Sequence, residues 1–297
     1  MSSWGKLILN AASAEYCGKT VSAIALSSRI SGVETKKLLV VASVERTGST
    51  LLCSILRGTL AAGTPVEYLN IHTQNFVRFR DKYGVPTITP SRLPLSTLRK
   101  LLGRSPWRDI SYFSQRSYLK YLTRLAEINT TQNGVFGIKM HWNQYKRHML
   151  DQGVDANYWG VPVRWVRIMR QNEIRQAISF VRASQSESWN SNMAVQREPI
   201  YDSDAIISAL ARIADENIQW QKYFVDNNIV PLDITYEQLT RDMDSTIRLV
   251  MNHIDSPIDT VPAPQTKKQS DATSKEWAER FVLEHPEHAH RANVSSL

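Results

Sequence analysis

The sequence predicts an α/β fold, a P-loop-like parallel sheet flanked by helices, with helical insertions. Three observations predict it. Short runs rich in valine, leucine and isoleucine recur at Lys37–Val44, Val135–Met140, Val163–Met169 and Pro231–Thr235. Segments of helical period stand between and after them. The first run passes through a tight glycine turn directly into a helical pattern. Strands that alternate with helices form parallel sheets, and ligands of such sheets sit at the carboxyl ends of the strands.

Composition supports one large core. The chain has 297 residues, 42% apolar and 22% charged, which excludes wholesale disorder. That length allows two domains, but a single α/β domain over residues 37–297, preceded by an extension over 1–36, is the simpler division. Lys and Arg number 36 against 28 Asp and Glu, a balance of +8. Such an excess suits an anionic ligand, nucleic acid or an acidic surface. No uninterrupted apolar run approaches the ~18 residues of a transmembrane segment. The patch Leu7–Leu9 is too short and weakly flanked for a secretory signal, which points to the cytoplasm. Two cysteines, Cys17 and Cys53, cannot form a disulfide framework and fit a reducing compartment.

Lys37–Val44 reads as a buried strand, bounded by Glu45-Arg46-Thr47-Gly48. Ser49–Leu60 follows as a helix, with Leu52, Ile55, Leu56 and Leu60 at helical spacing. Thr64–Tyr83 is a turn and loop holding Pro65 and Glu67. Ser91–Arg124 carries eight cations against the single acid Asp109, and reads first as a solvated helical face. The strands Val135–Met140 and Val163–Met169 end in cations, at Lys139 and Arg170. Asn172–Ser184 is a helix, with Ile174, Ala177, Ile178 and Val181 on one stripe. Asp202–Asp226 is a long amphipathic helix through Ile206, Leu210, Ile213, Trp220 and Phe224. Pro231–Thr235 is a brief strand. Thr273 and Glu276 have capping-box spacing and open a last helix that stops near Pro286.

The chemistry concentrates at the strand ends. Glu45-Arg46-Thr47-Gly48-Ser49-Thr50 joins a strand to a helix, where unpaired backbone N–H groups and the helix dipole favour an anion. Ser49 and Thr50 add hydroxyls, and Arg46 adds a guanidinium fork suited to phosphate. The bland alternative is a strand-to-helix turn capped by serine. No lysine precedes the Ser-Thr pair, so this is not a Walker A loop. Gly18-Lys19-Thr20 imitates the end of one, but Ser13 stands where its first glycine belongs. Arg170 at a strand end and Ser179 in the next helix can converge on one phosphate. His285, His288 and His290 lack structured ligand spacing, so no metal is expected. Trp142, Trp189 and Trp220 read as core residues first; Trp142 and Trp189, which flank the site, are the better candidates for sugar contact.

Four blocks, two of them the loop after Glu45 and the segment after Arg170, resemble the Stf0-type bacterial sulfotransferases, whose known member acts on trehalose, and a fifth is a weaker match. The resemblance runs from about Leu38 to Glu284. Glu45-Arg46-Thr47-Gly48-Ser49-Thr50-Leu51-Leu52 is similar to the family's 5′-phosphosulfate loop. Gly63-Thr64-Pro65-Val66-Glu67-Tyr68 is similar to the segment with the catalytic glutamate. Gly134-Val135-Phe136-Gly137-Ile138-Lys139-Met140-His141-Trp142-Asn143-Gln144 follows the family's G-V-x-G-x-K-x-x-W-N-Q pattern. Arg170 with Gln176–Phe180, Arg182, Ala183 and Gln185 resembles the 3′-phosphate block, and Gln269-Ser270-Asp271 with Ser274, Glu276 and Trp277 is a weaker match.

The resemblance implies the sulfotransferase fold and transfer of a sulfuryl group from 3′-phosphoadenosine 5′-phosphosulfate (PAPS) to a hydroxyl of a carbohydrate or glycolipid, without a metal. It implies donor contacts at Arg46, Thr47, Gly48, Ser49, Thr50, Arg170 and Ser179. Acceptor contacts would come from Glu67, Lys139 and Trp142. Glu67 is the implied general base, with Arg46 stabilising the leaving group. Two departures matter. His141 stands where the family usually has an apolar residue, and with Lys139 it has the K-x-H spacing of the base in related cytosolic sulfotransferases, so the base is Glu67 or His141. Glu45 replaces a glutamine; a carboxylate beside an anion cradle should pair with a cation and point away. Two other readings remain open, a kinase using Gly18-Lys19-Thr20 and a non-enzymatic binder of acidic polymers through Arg92–Arg124. No nucleic-acid motif appears, and oligomeric state is open, a homodimer included.

Overall fold

The computed structural model describes residues 33–70, 115–189, 196–264 and 272–292. Within them the chain is α/β. Four strands, β1 (Lys37–Ser43), β2 (Val135–His141), β3 (Val163–Met169) and β4 (Leu232–Thr235), form a parallel sheet in the order β2-β1-β3-β4. The last pair is in register Arg167 with Asp233 and Met169 with Thr235. Each strand agrees with its apolar run to within a residue at either end.

The helices are α1 (Ser49–Gly58), α2 (Gln115–Asn129), α3 (Trp142–His148), α4 (Glu173–Ser186), α5 (Ser203–Asp226), α6 (Tyr236–Arg241), α7 (Met243–His253) and α8 (Ala272–Glu284). Three boundaries correct the expectations. The first helix stops at Gly58; Leu60, expected on its buried stripe, has φ 55 and is exposed. The helix after Arg170 runs on to Ser186 and ends where Glu187 turns left-handed. The last helix begins at Ala272, so Thr273 lies inside its first turn rather than capping it. The short helices α3, α6 and α7 were not expected. Most of the basic stretch, the phosphate-loop imitation at Gly18-Lys19-Thr20, Cys17, and Gln269-Ser270-Asp271 lie outside the described residues. The part of the basic stretch within α2 turns Arg116 and Lys120 outward and buries Tyr118, Tyr121, Leu122 and Leu125.

The described residues fall into two compact units. Those of 1–38, 68–136 and 144–163 form one, and those of 39–67, 137–143 and 164–297 the other. In the first, α2 anchors its surroundings through buried aromatic donors: Tyr121 Oη donates to the Tyr68 carbonyl (2.7 Å) and Trp159 Nε1 to that of Leu122 (3.0 Å). The second holds most of the sheet. Its core includes an aromatic cluster in which Trp142 meets Trp220 edge-on at 5.1 Å and Trp220 stacks on Phe224 at 5.4 Å. Trp220, fully buried on α5, donates Nε1 to the Ser43 carbonyl (3.0 Å), fixing the carboxyl end of β1. No helix among the described residues is long and apolar enough to cross a membrane.

Candidate active site

The carboxyl ends of β1, β2 and β3 supply the site, all within the second unit. After β1 the chain turns through Arg46 (φ 66) and Gly48 (φ 82) before α1 starts at Ser49. Left-handed backbone is costly for a residue that carries a Cβ, such as arginine, and free for glycine. At Gly48 a Cβ would also lie 2.5 Å from the Tyr236 ring, so glycine is required twice over. Thr47 is buried and its hydroxyl donates to the Val44 carbonyl (3.0 Å), tying the turn back to the end of the strand. Ser49 is buried and Thr50 exposed.

Arg46 crosses to the helix after β3. Its Nε donates to Ser179 Oγ (2.9 Å) and its Nη1 to the Trp189 carbonyl (2.6 Å). Arg170 Nη1 donates to the Arg46 carbonyl (3.3 Å), and its guanidinium stacks on Tyr236 at 4.8 Å. Burial and the neighbouring Arg170 push Arg46 down to about 10 against a weaker pull from Glu67. Burial likewise lowers Arg170, whose buried Nε has no hydrogen-bond partner among the described residues. Two crowded guanidinium groups and an orphaned donor make a place for an anion. The residues expected at opposite ends of a nucleotide, Arg46 and Ser179, here touch directly. Glu237 supports the same corner by accepting from the backbone N–H of Gln171 (3.0 Å) and Asn172 (3.3 Å).

β2 brings the second group. Gly137, Lys139 and His141 alternate onto one face of the strand. Against Gly137 a Cβ would come 2.3 Å from the Ala62 carbonyl oxygen and 3.0 Å from Pro65, so the 62–67 segment can lie on the strand only there. The Lys139 N–H donates to the Val66 carbonyl (3.1 Å), pinning Glu67. Glu67 Oε1 then sits 2.6 Å from Lys139 Nζ and 3.4 Å from His141 Nε2. Lys139 Nζ also donates to Thr50 Oγ1 (3.2 Å), and His141 Nδ1 hydrogen-bonds Ser43 Oγ (3.0 Å). Lys139 and His141 are buried, while the Glu67 side chain keeps 24% of its surface open. Burial pushes the Glu67 carboxyl up, but the Lys139 and His141 charges overcome it and hold the group well below the usual carboxylate range. Burial lowers His141, and the Glu67 carboxylate outweighs it and raises the imidazole. The two residues between which the sequence left the base undecided are thus one contacting pair.

Glu45 pairs with a cation as expected, Arg212 of α5 (2.6 Å). Trp142 is packed in the aromatic core at 9% exposure, whereas Trp189 is exposed. Of the C-terminal histidines, His285 and His288 lie beside Phe281, His288 stacked on its ring at 5.9 Å. Sequence reasoning missed Ser43, Arg212, Glu216, Tyr236 and Glu237. Only Arg212 and Glu216 left a signal, an i,i+4 charge pair on a helix otherwise read for its apolar stripe.

The profile of the family described as Stf0 sulphotransferase matches residues 38–284. Among curated proteins, a trehalose 2-sulfotransferase of Mycobacterium tuberculosis is 26% identical over 267 residues, covering 83% of this chain and 94% of that protein. One of Mycolicibacterium smegmatis is 26% identical over 276 residues, 82% of this chain and 93% of that protein. Among solved structures, the sulfotransferase domain of the Synechococcus PCC 7002 olefin synthase superposes with a TM-score of 0.43 at 14% identity, over 86% of this chain and 97% of that one.

Proposed function

Because this chain belongs to the Stf0 sulphotransferase family, we propose that it moves a sulfuryl group from PAPS to a hydroxyl of a carbohydrate or glycolipid, trehalose or a trehalose-bearing lipid being the first acceptor to try. The observation that carries the reading is the meeting of Arg46, Ser179 and Arg170, contributed by the units that follow the neighbouring strands β1 and β3, where two guanidinium groups crowd one corner. A nucleotide with phosphate at both its 3′ and 5′ positions is a ligand of matching charge.

The acceptor oxygen attacks sulfur as the bond from sulfur to the 5′-phosphate oxygen breaks, and the acceptor proton goes to Glu67. The transferred group is already anionic and loosely bonded, so catalysis rests on positioning and charge stabilisation, as in phosphoryl transfer. The loop amides and Thr50 hold the phosphosulfate end, and Arg46, which contacts Ser179, joins Arg170 and Ser179 at the 3′-phosphate. Glu67 enters ionised, ready to accept a proton. Its basicity is low while Lys139 faces it, and a sulfonate that draws the ammonium toward Thr50 raises it. His141 shares the incoming proton through its contact with Glu67.

The test is calorimetry with adenosine 3′,5′-bisphosphate, the product nucleotide, alongside radiolabelled sulfate transfer from PAPS to trehalose and to lipid and saccharide extracts. Wild type should bind, and Arg46→Ala should weaken binding roughly tenfold or more, the scale of one charge-assisted hydrogen bond. Failure of the wild type to bind refutes the donor; binding without transfer to any sugar refutes the acceptor class.

A further inference from the structure

Behind the anion loop lies a half-buried cluster that the proposed chemistry does not use. Arg212 on α5 stands between two carboxylates, with Nη2 2.6 Å from Glu45 Oε1 and Nε 2.9 Å from Glu216 Oε1. Phe180 of α4 covers the guanidinium at 4.6 Å. Asn143 Nδ2 donates to Glu45 Oε1 (3.1 Å), and the fully buried Gln176 donates Nε2 to the Glu45 carbonyl (2.7 Å). Glu45 is therefore gripped at both side chain and backbone, and the next residue is Arg46 in its left-handed turn.

We infer that Arg212 and Glu216 are positioning residues for the donor loop, holding Glu45 and through it the Arg46 turn, and that the charge of this cluster sets how tightly the loop binds an anion. The inference rests on the donor reading above. Two carboxylates contact one guanidinium, so ionising Glu216 adds a negative charge to the cluster that Arg212 already shares with Glu45. The second oxygens, Oε2 of Glu45 and Oε2 of Glu216, are buried without hydrogen-bond partners among the described residues. Burial of such oxygens favours a proton, an effect that the charges of His141 and Arg212 outweigh at Glu45, which is held below its usual value, but not at Glu216. The titratable groups that face Glu216 are Arg212 on its own helix, Glu45 from the loop after β1, and His141 from the end of β2. Burial and then Glu45 push Glu216 up to about 7, against the opposing pull of Arg212 and His141. Below that point Glu216 is neutral; above it the added charge lies against the anion loop and opposes the donor.

Calorimetric titration of adenosine 3′,5′-bisphosphate from about pH 6 to about pH 8.5, on wild type and Glu216→Gln, reads this directly, because the ligand's own titration cancels in the ratio. The two proteins should bind alike at the acid end. At the alkaline end Glu216→Gln should bind about threefold tighter or more. A ratio that does not change with pH overturns the inference, since a merely structural glutamate would weaken binding equally throughout. Arg212→Ala should weaken binding about tenfold or more at every pH, with partial rescue in Arg212→Lys; unchanged binding in folded Arg212→Ala also overturns it. If Arg212→Ala does not fold, Glu216→Gln, a near-isosteric change, decides alone. Wild type that binds no nucleotide refutes the donor reading, and this inference with it; wild type that binds with a flat ratio refutes only the inference.

Discussion

In the proposed reaction the proton transfer rests on three side chains in contact: Glu67, Lys139 and His141. Their charges are mutually dependent, which gives a signature in stability as well as rate. Glu67 titrates below its usual value of 4.5, so its pairing stabilises the folded state above that value and is lost as pH falls through the lower, folded one. His141 titrates above its usual 6.5, so its share is complete below 6.5 and is lost as pH rises through the higher, folded value. The difference in melting temperature between wild type and Glu67→Gln should therefore peak between 4.5 and 6.5 and fall on the alkaline side to the plateau that Lys139 sustains. Turnover of Glu67→Gln should drop by roughly 10²–10⁴, the scale of general base catalysis, with donor affinity nearly unchanged. A flat melting difference would show that the contacts do not persist in solution; full turnover would turn attention to His141. The sequence placed all three residues in matching motifs, yet it offered Glu67 and His141 as competitors. Their contact depends on how a loop lies on a strand, which spacing does not reveal.

At the level of elements, β2 is the part on which the most depends. Its alternation puts a glycine, a lysine and a histidine on one face in successive steps, and the glycine admits the loop that carries Glu67. Gly137→Ala should force that loop off the strand. Overpacking of this kind costs about 1–3 kcal/mol, and turnover should fall further than stability because Glu67 moves relative to Lys139. Stability and kcat measured on the same preparation check this; an alanine variant with normal turnover would mean that the loop is not held there. The strands were legible because each is a compact apolar run bounded by polar residues. The helix α6 had a capping box, Thr235 with Gln238, but only six residues, too few for a periodic stripe. The partner of Glu45 was illegible in identity, though not in charge. Electrostatics demands a cation beside a buried carboxylate, but the one that answers is 167 positions away and reaches it only through the packing of α5 on α4.

Across the whole molecule, the excess of 36 basic over 28 acidic residues raises the local concentration of any polyanion, but charge balance alone could not distinguish a nucleotide from an acidic polymer. The proposed nucleotide reading rests on a local feature: two half-buried guanidinium groups set close together, one on a left-handed backbone. That arrangement has a consequence for engineering and for drift. Such a backbone costs arginine about 1–2 kcal/mol, and its charge is crowded by Arg170. Arg46→Gly removes both penalties, so this variant should melt no lower than the wild type while losing the donor; a clear drop in melting temperature would mean that the contacts to Ser179 and Trp189 outweigh the strain. The turn would then be a point at which robustness and competence diverge, and selection for heat tolerance alone would erode it first.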